Sequence, residues 1–305
     1  MTAVFAIDDE AAADQHALRQ GVGAVLTDRQ VVEVCGADAA SFLQGQLSQD
    51  VAALADGGSA WTFVLQPDGK VAVWARLVRL AEDRYVLDVD AGAAEVLVAR
   101  LERFRLRVDV TVAVLHWHVV ALRGPGSGAV DTADLVTAAP EWPGIEGLDL
   151  LGPAVGVPDG VRECSLEAYE ALRVEAGVPA MGAELTDRTI PAEAGVVERS
   201  VSFTKGCYTG QELTARIDSR GGNVPRHLRG LVVEGPEPPV GAEVVIDGEV
   251  VGTVTSAAAS AALRAPVALA YVGRAVEPPA AAEVRWEGGR AGAEVRALPL
   301  LPLGE

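Results

Sequence analysis

Two Asp-Gly pairs constrain the fold of this chain more than any other local feature. Asp68-Gly69 lies between the apolar runs 61–65 and 71–80, and Asp247-Gly248 lies between two shorter runs, 243–246 and 249–255. An Asp-Gly pair between such runs favours the tight turns that join antiparallel strands. The sequence therefore predicts two β-hairpins, one early in the chain and one near its C-terminus.

Helical patterns lie between the predicted strands. Segments 39–47, 93–104 and 166–176 have helical spacing or composition, and Gly177 and Pro179 end the last of them. Segments 31–34, 85–89, 106–114 and 117–122 are typical of strands, whereas 124–160 is rich in Gly, Pro and acids and predicts a loop-rich connection. With 305 residues, half of them hydrophobic, the chain exceeds one ordinary core, so we expect two or three subdomains.

The predicted fold class is α+β. The C-terminal part, residues 231–305, is expected to form a small antiparallel β-barrel, because short strands and turns follow one another there. Residues 1–230 are expected to form a separate region of two intertwined subdomains.

Charge and cysteine usage limit the partners. A net charge of −18 repels phosphate backbones, so nucleic-acid binding is not expected. Three scattered cysteines suit a reducing compartment and do not supply the four thiolates of a cluster.

Residues 1–10 have no basic apolar leader, and the longest apolar run, 110–122, is too short to span a bilayer. We therefore expect a cytoplasmic protein without a membrane partner.

The segment 205–216 carries the clearest chemistry. Thr209 and Glu212 have the spacing of a capping box, which predicts that a short helix begins there. Cys207 then lies just before a helix N-terminus and close to Lys205, and both features favour the thiolate over the thiol. A single cysteine beside a turn is more often inert, so the functional interpretation needs further support.

That support comes from a resemblance. The segment is similar to the hallmark K-G-C-Y-x-G-Q-E of the YgfZ family at all eight positions, and further likeness at 36–50, 66–70, 173–179, 190–193 and 252–256 extends it from about residue 25 to the C-terminus. The family includes mitochondrial iron–sulfur assembly factors and is related to the glycine-cleavage aminomethyltransferases. The matching residues are Lys205, Gly206, Cys207, Tyr208, Thr209, Gly210, Gln211 and Glu212.

The resemblance implies an aminomethyltransferase-like folate-binding fold, with three subdomains around a cavity for tetrahydrofolate or a one-carbon derivative. It places the folate-binding region in residues 1–230. It also implies a role in the assembly or maintenance of iron–sulfur proteins, with those proteins or their assembly machinery as partners. Cys207 is then the functional thiol, with Lys205 beside it.

Two other functions stay open. One is folate-dependent transfer of an aminomethyl or methyl unit, which the related enzymes suggest. The segment 88–93 contains Asp90 but lacks the asparagines that surround the catalytic aspartate of those enzymes, which disfavours this alternative. The other is a tRNA-modification partner that uses the basic stretch 216–229, which the net charge disfavours.

A folate site needs an aromatic wall, an acceptor for the pterin edge and cations for the glutamate tail. Tyr169 is a candidate for the aromatic wall. A tyrosine on the apolar face of a helix is equally typical of a core position, so both interpretations stay open. Glu175 is a candidate for the edge, or else it pairs with Arg173. Arg29 is a candidate to stack on a flat ring. The candidates for the tail are Arg216, Arg220, Arg226 and Arg229.

No metal site is predicted. His116 and His118 are expected to share one face of a strand, but no Cys or Asp at metal-ligand spacing completes a zinc site.

Overall fold

The structure is a computed structural model that describes residues 6–132, 135–219 and 221–301. Helices and strands alternate through the first two thirds of these residues. The helices are α1 (Asp9–Gln20), α2 (Ala39–Gln46), α3 (Ala94–Phe104), α4 (Leu166–Ala176), α5 (Val197–Ser200) and α6 (Gln211–Ser219). The strands are β1 (Gly23–Thr27), β2 (Gln30–Cys35), β3 (Ser59–Leu65), β4 (Val71–Ala81), β5 (Arg84–Val89), β6 (Thr111–Leu115), β7 (His118–Arg123), β8 (Val136–Ala138), β9 (Gly147–Gly152), β10 (Arg162–Glu163), β11 (Arg226–Glu234), β12 (Glu243–Ile246), β13 (Glu249–Ser260), β14 (Ala265–Gly273), β15 (Ala280–Trp286) and β16 (Gly289–Arg296).

The strands form three separate sheets. One five-stranded sheet has the order β10-β1-β7-β9-β8, and a second has the order β3-β4-β5-β2-β6. The strands β11-β14-β13-β12-β15-β16 close into a barrel, which leaves no free edge for pairing with another chain. The predicted α+β class, with a C-terminal antiparallel barrel, is confirmed.

Both predicted hairpins are present. β3 and β4 pair through the turn at Gly69, whose φ of 85° is left-handed. β12 and β13 pair through Asp247 and Gly248, with φ of 52° and 86°. The primed turn requires a positive φ at both central residues, and Asp247 and Gly248 meet this requirement.

α4 joins the N-terminal part of the chain to the barrel. Ser165 caps its start, because its Oγ accepts from the amide of Ala168 at 3.2 Å, and Gly177 ends it with φ of 71°. The predicted helix 166–176 therefore has the observed bounds. On the buried face, Arg173 donates to the hydroxyl of Ser256 in β13 at 2.7 Å, so the helix is attached to the barrel by a polar contact.

The segment 124–160 is more regular than predicted. It contains β8 and β9, and β9 pairs with β7 along six residues. Asp149 interrupts the apolar alternation of β9, which explains why the sequence did not indicate a strand. The prediction that His116 and His118 share one face of a strand is also wrong. β6 ends at Leu115, and His116 lies in the connection before β7, which starts at His118.

Candidate functional site

A cavity of about 810 Å³ lies where the three sheets meet. β3 and β4 of one sheet supply Trp61 and Trp74, β7 of the other supplies Arg123, and β13 of the barrel supplies Ala257 to Ala259. α4 adds Tyr169 on a further side. The cavity is therefore bordered by both five-stranded sheets, the barrel and α4. Small-molecule sites usually lie at such junctions between structural units.

Aromatic rings form two walls of the cavity. Trp61 and Trp74 are stacked, with ring centroids 4.0 Å apart and planes inclined by 17°. Trp142 and Tyr169 form a second pair with centroids 4.9 Å apart. Flat apolar surfaces of this kind suit a planar heterocycle.

A buried network of charges lies beneath the aromatic walls. Arg76 donates to Asp88 at 2.7 Å and to Asp149 at 2.6 Å, and Arg123 donates to Asp149 at 2.5 Å. Burial alone would raise the pKa of Asp149, but the two guanidinium groups outweigh it and hold the pKa below its usual range. The network fixes Arg123 at the cavity, where its guanidinium lies 4.5 Å from the Trp142 ring.

Arg29, the candidate for stacking on a flat ring, lines the cavity, but its guanidinium is already paired. It donates to Asp88 at 2.5 Å and forms an ion pair with Asp90. Burial opposes the charge of Arg29, yet these carboxylates raise its pKa above the ordinary value. Its guanidinium lies 5.5 Å from the Trp61 ring, so it extends the aromatic wall.

Asp90 also lines the cavity, and both of its oxygen atoms have partners. Oδ1 accepts from Arg29, and Oδ2 accepts from the backbone amide of Met181 at 2.8 Å. Both oxygen atoms of this carboxylate are therefore occupied by donors of the protein itself.

Tyr169 and Glu175 lie on the same helix but at different places. Tyr169 lines the cavity, and its hydroxyl accepts from Arg123 at 3.3 Å. Glu175 does not line it: the carboxylate is 2% exposed, forms an ion pair with Arg19 and accepts from the hydroxyl of Ser260. Its contacts attach α4 to α1 and to the barrel.

Three of the four arginines predicted for the glutamate tail lie outside the cavity lining. Arg216 is exposed on α6, and Arg226 pairs with Glu193 at 3.1 Å and covers the ring of Tyr271 at 4.2 Å. Arg229 lines a different cleft, and Arg220 lies outside the described residues. The cations at the cavity are Arg29, Arg123 and Arg173.

Lys205 anchors the hallmark loop. Its Nζ donates to three backbone carbonyls at the end of α2, those of Gln44 at 2.7 Å, Leu47 at 2.6 Å and Gln49 at 2.9 Å. Burial lowers the pKa of Lys205 to about 8, while Asp50 acts weakly in the opposite direction. Its hydrogen bonds go to these carbonyls and none goes to the thiol of Cys207.

Cys207 is an exposed free thiol and does not line the cavity. Thr209 and Glu212 do not form the predicted capping box. The helix α6 starts only at Gln211, and the amide of Tyr208 donates to Oε1 of Gln211 at 2.9 Å. Glu212 is exposed. The hallmark thus presents its sulfur to solvent on a loop fixed at Lys205 and Gln211.

The two glycines of the hallmark differ in their surroundings. Gly210 has φ of 82°, and a Cβ there would collide with the carbonyl of Gln66 and lie 2.7 Å from the Cβ of Leu65. Gly206 has open space where its Cβ would be. Close backbone approach is therefore required at Gly210, where the loop packs against the β3–β4 hairpin.

Comparison with known proteins agrees with this architecture. The family model of the GCVT N-terminal domain matches residues 1–137, and that of the glycine cleavage T-protein C-terminal barrel domain matches residues 226–301. An aminomethyltransferase of Streptomyces avermitilis is 31% identical over 329 residues, covering 94% of this chain and 88% of that protein. The chain belongs to the glycine cleavage T-protein family.

Two other relatives of this T-protein family member are informative. An uncharacterized protein of Haemophilus influenzae is 29% identical over 238 residues, covering 76% of this chain and 82% of that protein. The crystal structure of glycine cleavage system aminomethyltransferase T from Bartonella henselae superimposes with a TM-score of 0.81 at 24% identity, covering 95% of this chain and 89% of that one. The second match concerns the fold alone.

Sequence reasoning missed several residues of the T-protein cavity. The cavity walls Trp61, Trp74 and Trp142 are not among the candidates that the sequence indicates, and neither are Arg123 and Asp149. One signal was available: Arg76, Asp88 and Asp149 are charged residues with apolar neighbours on both sides in their strands. Charges in such positions are paired when buried, and they often mark a site.

Two absences hold for the described part of this T-protein family member. No group of three or more potential metal ligands occurs in residues 6–132, 135–219 and 221–301. No helix within those same residues combines the length and apolar character needed to cross a membrane.

Proposed function

We propose that this protein binds tetrahydrofolate, or a one-carbon derivative of it, in the central cavity. The volume of about 810 Å³ is ample for a ligand of this size. The stacked pair Trp61–Trp74 and the ring of Tyr169 offer flat walls for a pterin. Family membership supports the same ligand class, because the relatives are aminomethyltransferases.

The polar groups of the cavity fit the rest of the ligand. Asp90 and Glu170 supply acceptors for the amide-like edge, and Arg123 and Arg173 supply cations for carboxylates. We assign the edge contact to these residues in place of Glu175, because Asp90 and Glu170 line the cavity whereas Glu175 is 2% exposed and does not.

We propose further that the protein is a YgfZ-type accessory factor for the assembly or maintenance of iron–sulfur proteins in the cytoplasm. The observation that carries this proposal is Cys207, an exposed thiol on a loop that three hydrogen bonds of Lys205 hold in place. A fixed and accessible thiol suits contact with a cluster or with a partner protein. The other two cysteines are half-buried or buried.

A second candidate is folate-dependent one-carbon transfer. Asp90 favours it, since a carboxylate at the cavity is the group that such an enzyme requires as an acid or base. The pairing of both Asp90 oxygen atoms disfavours it. An assay with tetrahydrofolate and aminomethyl donors separates the candidates, because only the enzyme forms methylene-tetrahydrofolate.

The accessory role is tested by complementation in a strain that lacks this protein. We expect wild type and Cys35→Ser to restore iron–sulfur enzyme activity and Cys207→Ser to fail while still binding tetrahydrofolate. Full restoration by Cys207→Ser would refute the role of the thiol. Absence of tetrahydrofolate binding by wild type would refute the folate site independently.

A further inference from the structure

A second cleft, of about 720 Å³, lies between the barrel and the segment around α5. Most of its lining is apolar, with proline and leucine side chains prominent. Arg199 of α5 and Arg229 of β11 are its two cations. The apolar lining includes Pro143, Leu228, Pro278, Leu298 and Pro299. Trp142 is the one residue that lines both this cleft and the central cavity among those described.

Neither arginine has a carboxylate partner within the described residues. Arg199 donates from Nη1 to the backbone carbonyl of Glu141 at 2.5 Å, and Arg229 donates from Nη1 to that of Leu228 at 3.2 Å. The Nε atom of each is buried and has no acceptor in the described part of the chain. This is unexpected in a protein with 43 acidic and 25 basic residues.

The two guanidinium groups therefore lack the counter-charge that buried cations normally have. Burial lowers the pKa of Arg199 to about 10 and also lowers that of Arg229, and the carboxylates of Glu141 and Glu277 oppose these shifts only in part. The carboxylates of Glu141 and Glu198 are at the cleft, but both residues are exposed and neither forms an ion pair with the arginines. An anionic ligand would supply the missing charge.

We propose that this cleft binds a small organic acid, with an apolar body against the prolines and leucines and a carboxylate or phosphate on Arg199 and Arg229. Arginine is well suited to both anions, because its planar fork donates two parallel hydrogen bonds. The site is distinct from the central cavity and does not depend on folate binding there. A mostly apolar cleft with few charged groups is typical of a small-molecule site.

The proposal is tested with matched probes on the full-length protein. 4-Phenylbutyrate and a phenylalkyl phosphate carry the acid, 4-phenylbutanol lacks it, and inorganic phosphate lacks the apolar body. Nitrogen-15 spectra of the arginine Nε–H groups, recorded with and without bound tetrahydrofolate, report binding in the wild type. The variants are Arg199→Met and Arg229→Met, with Arg188→Met as a control that removes an exposed charge away from the cleft.

We expect at least one acid to shift the Nε–H resonances of Arg199 and Arg229 and to bind more tightly than the alcohol or inorganic phosphate. Loss of one charge-assisted contact should weaken binding about tenfold or more in each cleft variant, and Arg188→Met should bind as wild type does. Three results would overturn the proposal: no shift with either acid, equal binding of the alcohol or of inorganic phosphate, or displacement by tetrahydrofolate. The wild-type measurements decide the outcome even if a variant fails to fold.

Discussion

The Nζ atom of Lys205 lies 2.6 Å from the carbonyl oxygen of Leu47, the C-cap residue that follows α2. The two residues are 158 positions apart in the chain. This contact and the two beside it fix the hallmark loop to the N-terminal part of the protein. They also satisfy carbonyl groups that a helix end leaves without intrahelical partners. Lys205 therefore holds in place the loop that carries Cys207.

Replacing Lys205 with Met should destabilise the protein and impair Cys207 without emptying the folate site. Three carbonyls lose their donor, and we expect a loss of about 1–2 kcal/mol in the free energy of unfolding, because relief of the ammonium's burial offsets part of the cost. Urea denaturation measures this loss. The control is Lys70→Met, which removes the chain's other lysine, whose side chain is 40% exposed and pairs with Asp68, and should change stability by less than about 0.5 kcal/mol. Equal effects of the two substitutions would contradict the anchoring role.

Lys205 should lose its proton near pH 8. Burial lowers its pKa from 10.5 to about 8, and the unfolded chain keeps the proton up to about 10.5. Between these values the unfolded state binds more protons, so this group's contribution to the free energy of unfolding rises with pH. Carbon-13 labelling of the lysine Cε atoms gives two side-chain resonances, because the chain has only Lys70 and Lys205. A Lys205 resonance that stays constant from pH 7 to pH 9 would show that burial does not act in this way.

Gly210→Ala should disrupt the hallmark loop, whereas Gly206→Ala should not. At Gly210 an added Cβ collides with the carbonyl of Gln66, and the alanine must keep the left-handed backbone φ of 82°. We therefore expect a loss of about 2 kcal/mol or more in the free energy of unfolding. At Gly206 the Cβ has open space, and the change should stay within about 0.5 kcal/mol. Denaturation of both variants, with the alkylation rate of Cys207 as a second readout, tests the difference. Similar stabilities for the two variants would mean that the close approach to Gln66 is unimportant.

Glu175→Gln and Tyr169→Ala should separate stability from folate affinity. The first substitution leaves Arg19 without its buried partner, and we expect a loss of about 3 kcal/mol in stability with tetrahydrofolate affinity unchanged. The second removes a cavity wall and should weaken tetrahydrofolate binding about tenfold or more, since base–aromatic stacking contributes about 1–3 kcal/mol. Calorimetric titration and denaturation of each variant provide the comparison. If Glu175→Gln binds folate poorly while folded, Glu175 has the ligand role that its sequence position suggested.

Local sequence was sufficient for features that depend on near neighbours. The turn at Asp247-Gly248 follows from the left-handed conformations that these residues adopt readily, and the bounds of α4 follow from Ser165 and Gly177. The resemblance in the hallmark segment likewise indicated the fold class. The predicted capping box is absent, and it is Gln211 rather than Glu212 whose side chain accepts from a preceding amide, that of Tyr208.

What the sequence determined by itself was the set of elements, the hairpins, the barrel and the presence of a distinctive cysteine segment. What only the tertiary structure decided was which side chains meet. Glu175 has its partners at Arg19 and Ser260, 156 and 85 positions away, and the cavity wall joins Trp61 to Trp74 across two strands. Turns and caps follow from φ preferences and hydrogen bonds within a few residues, whereas a buried charge takes whichever partner the packing of distant elements brings to it.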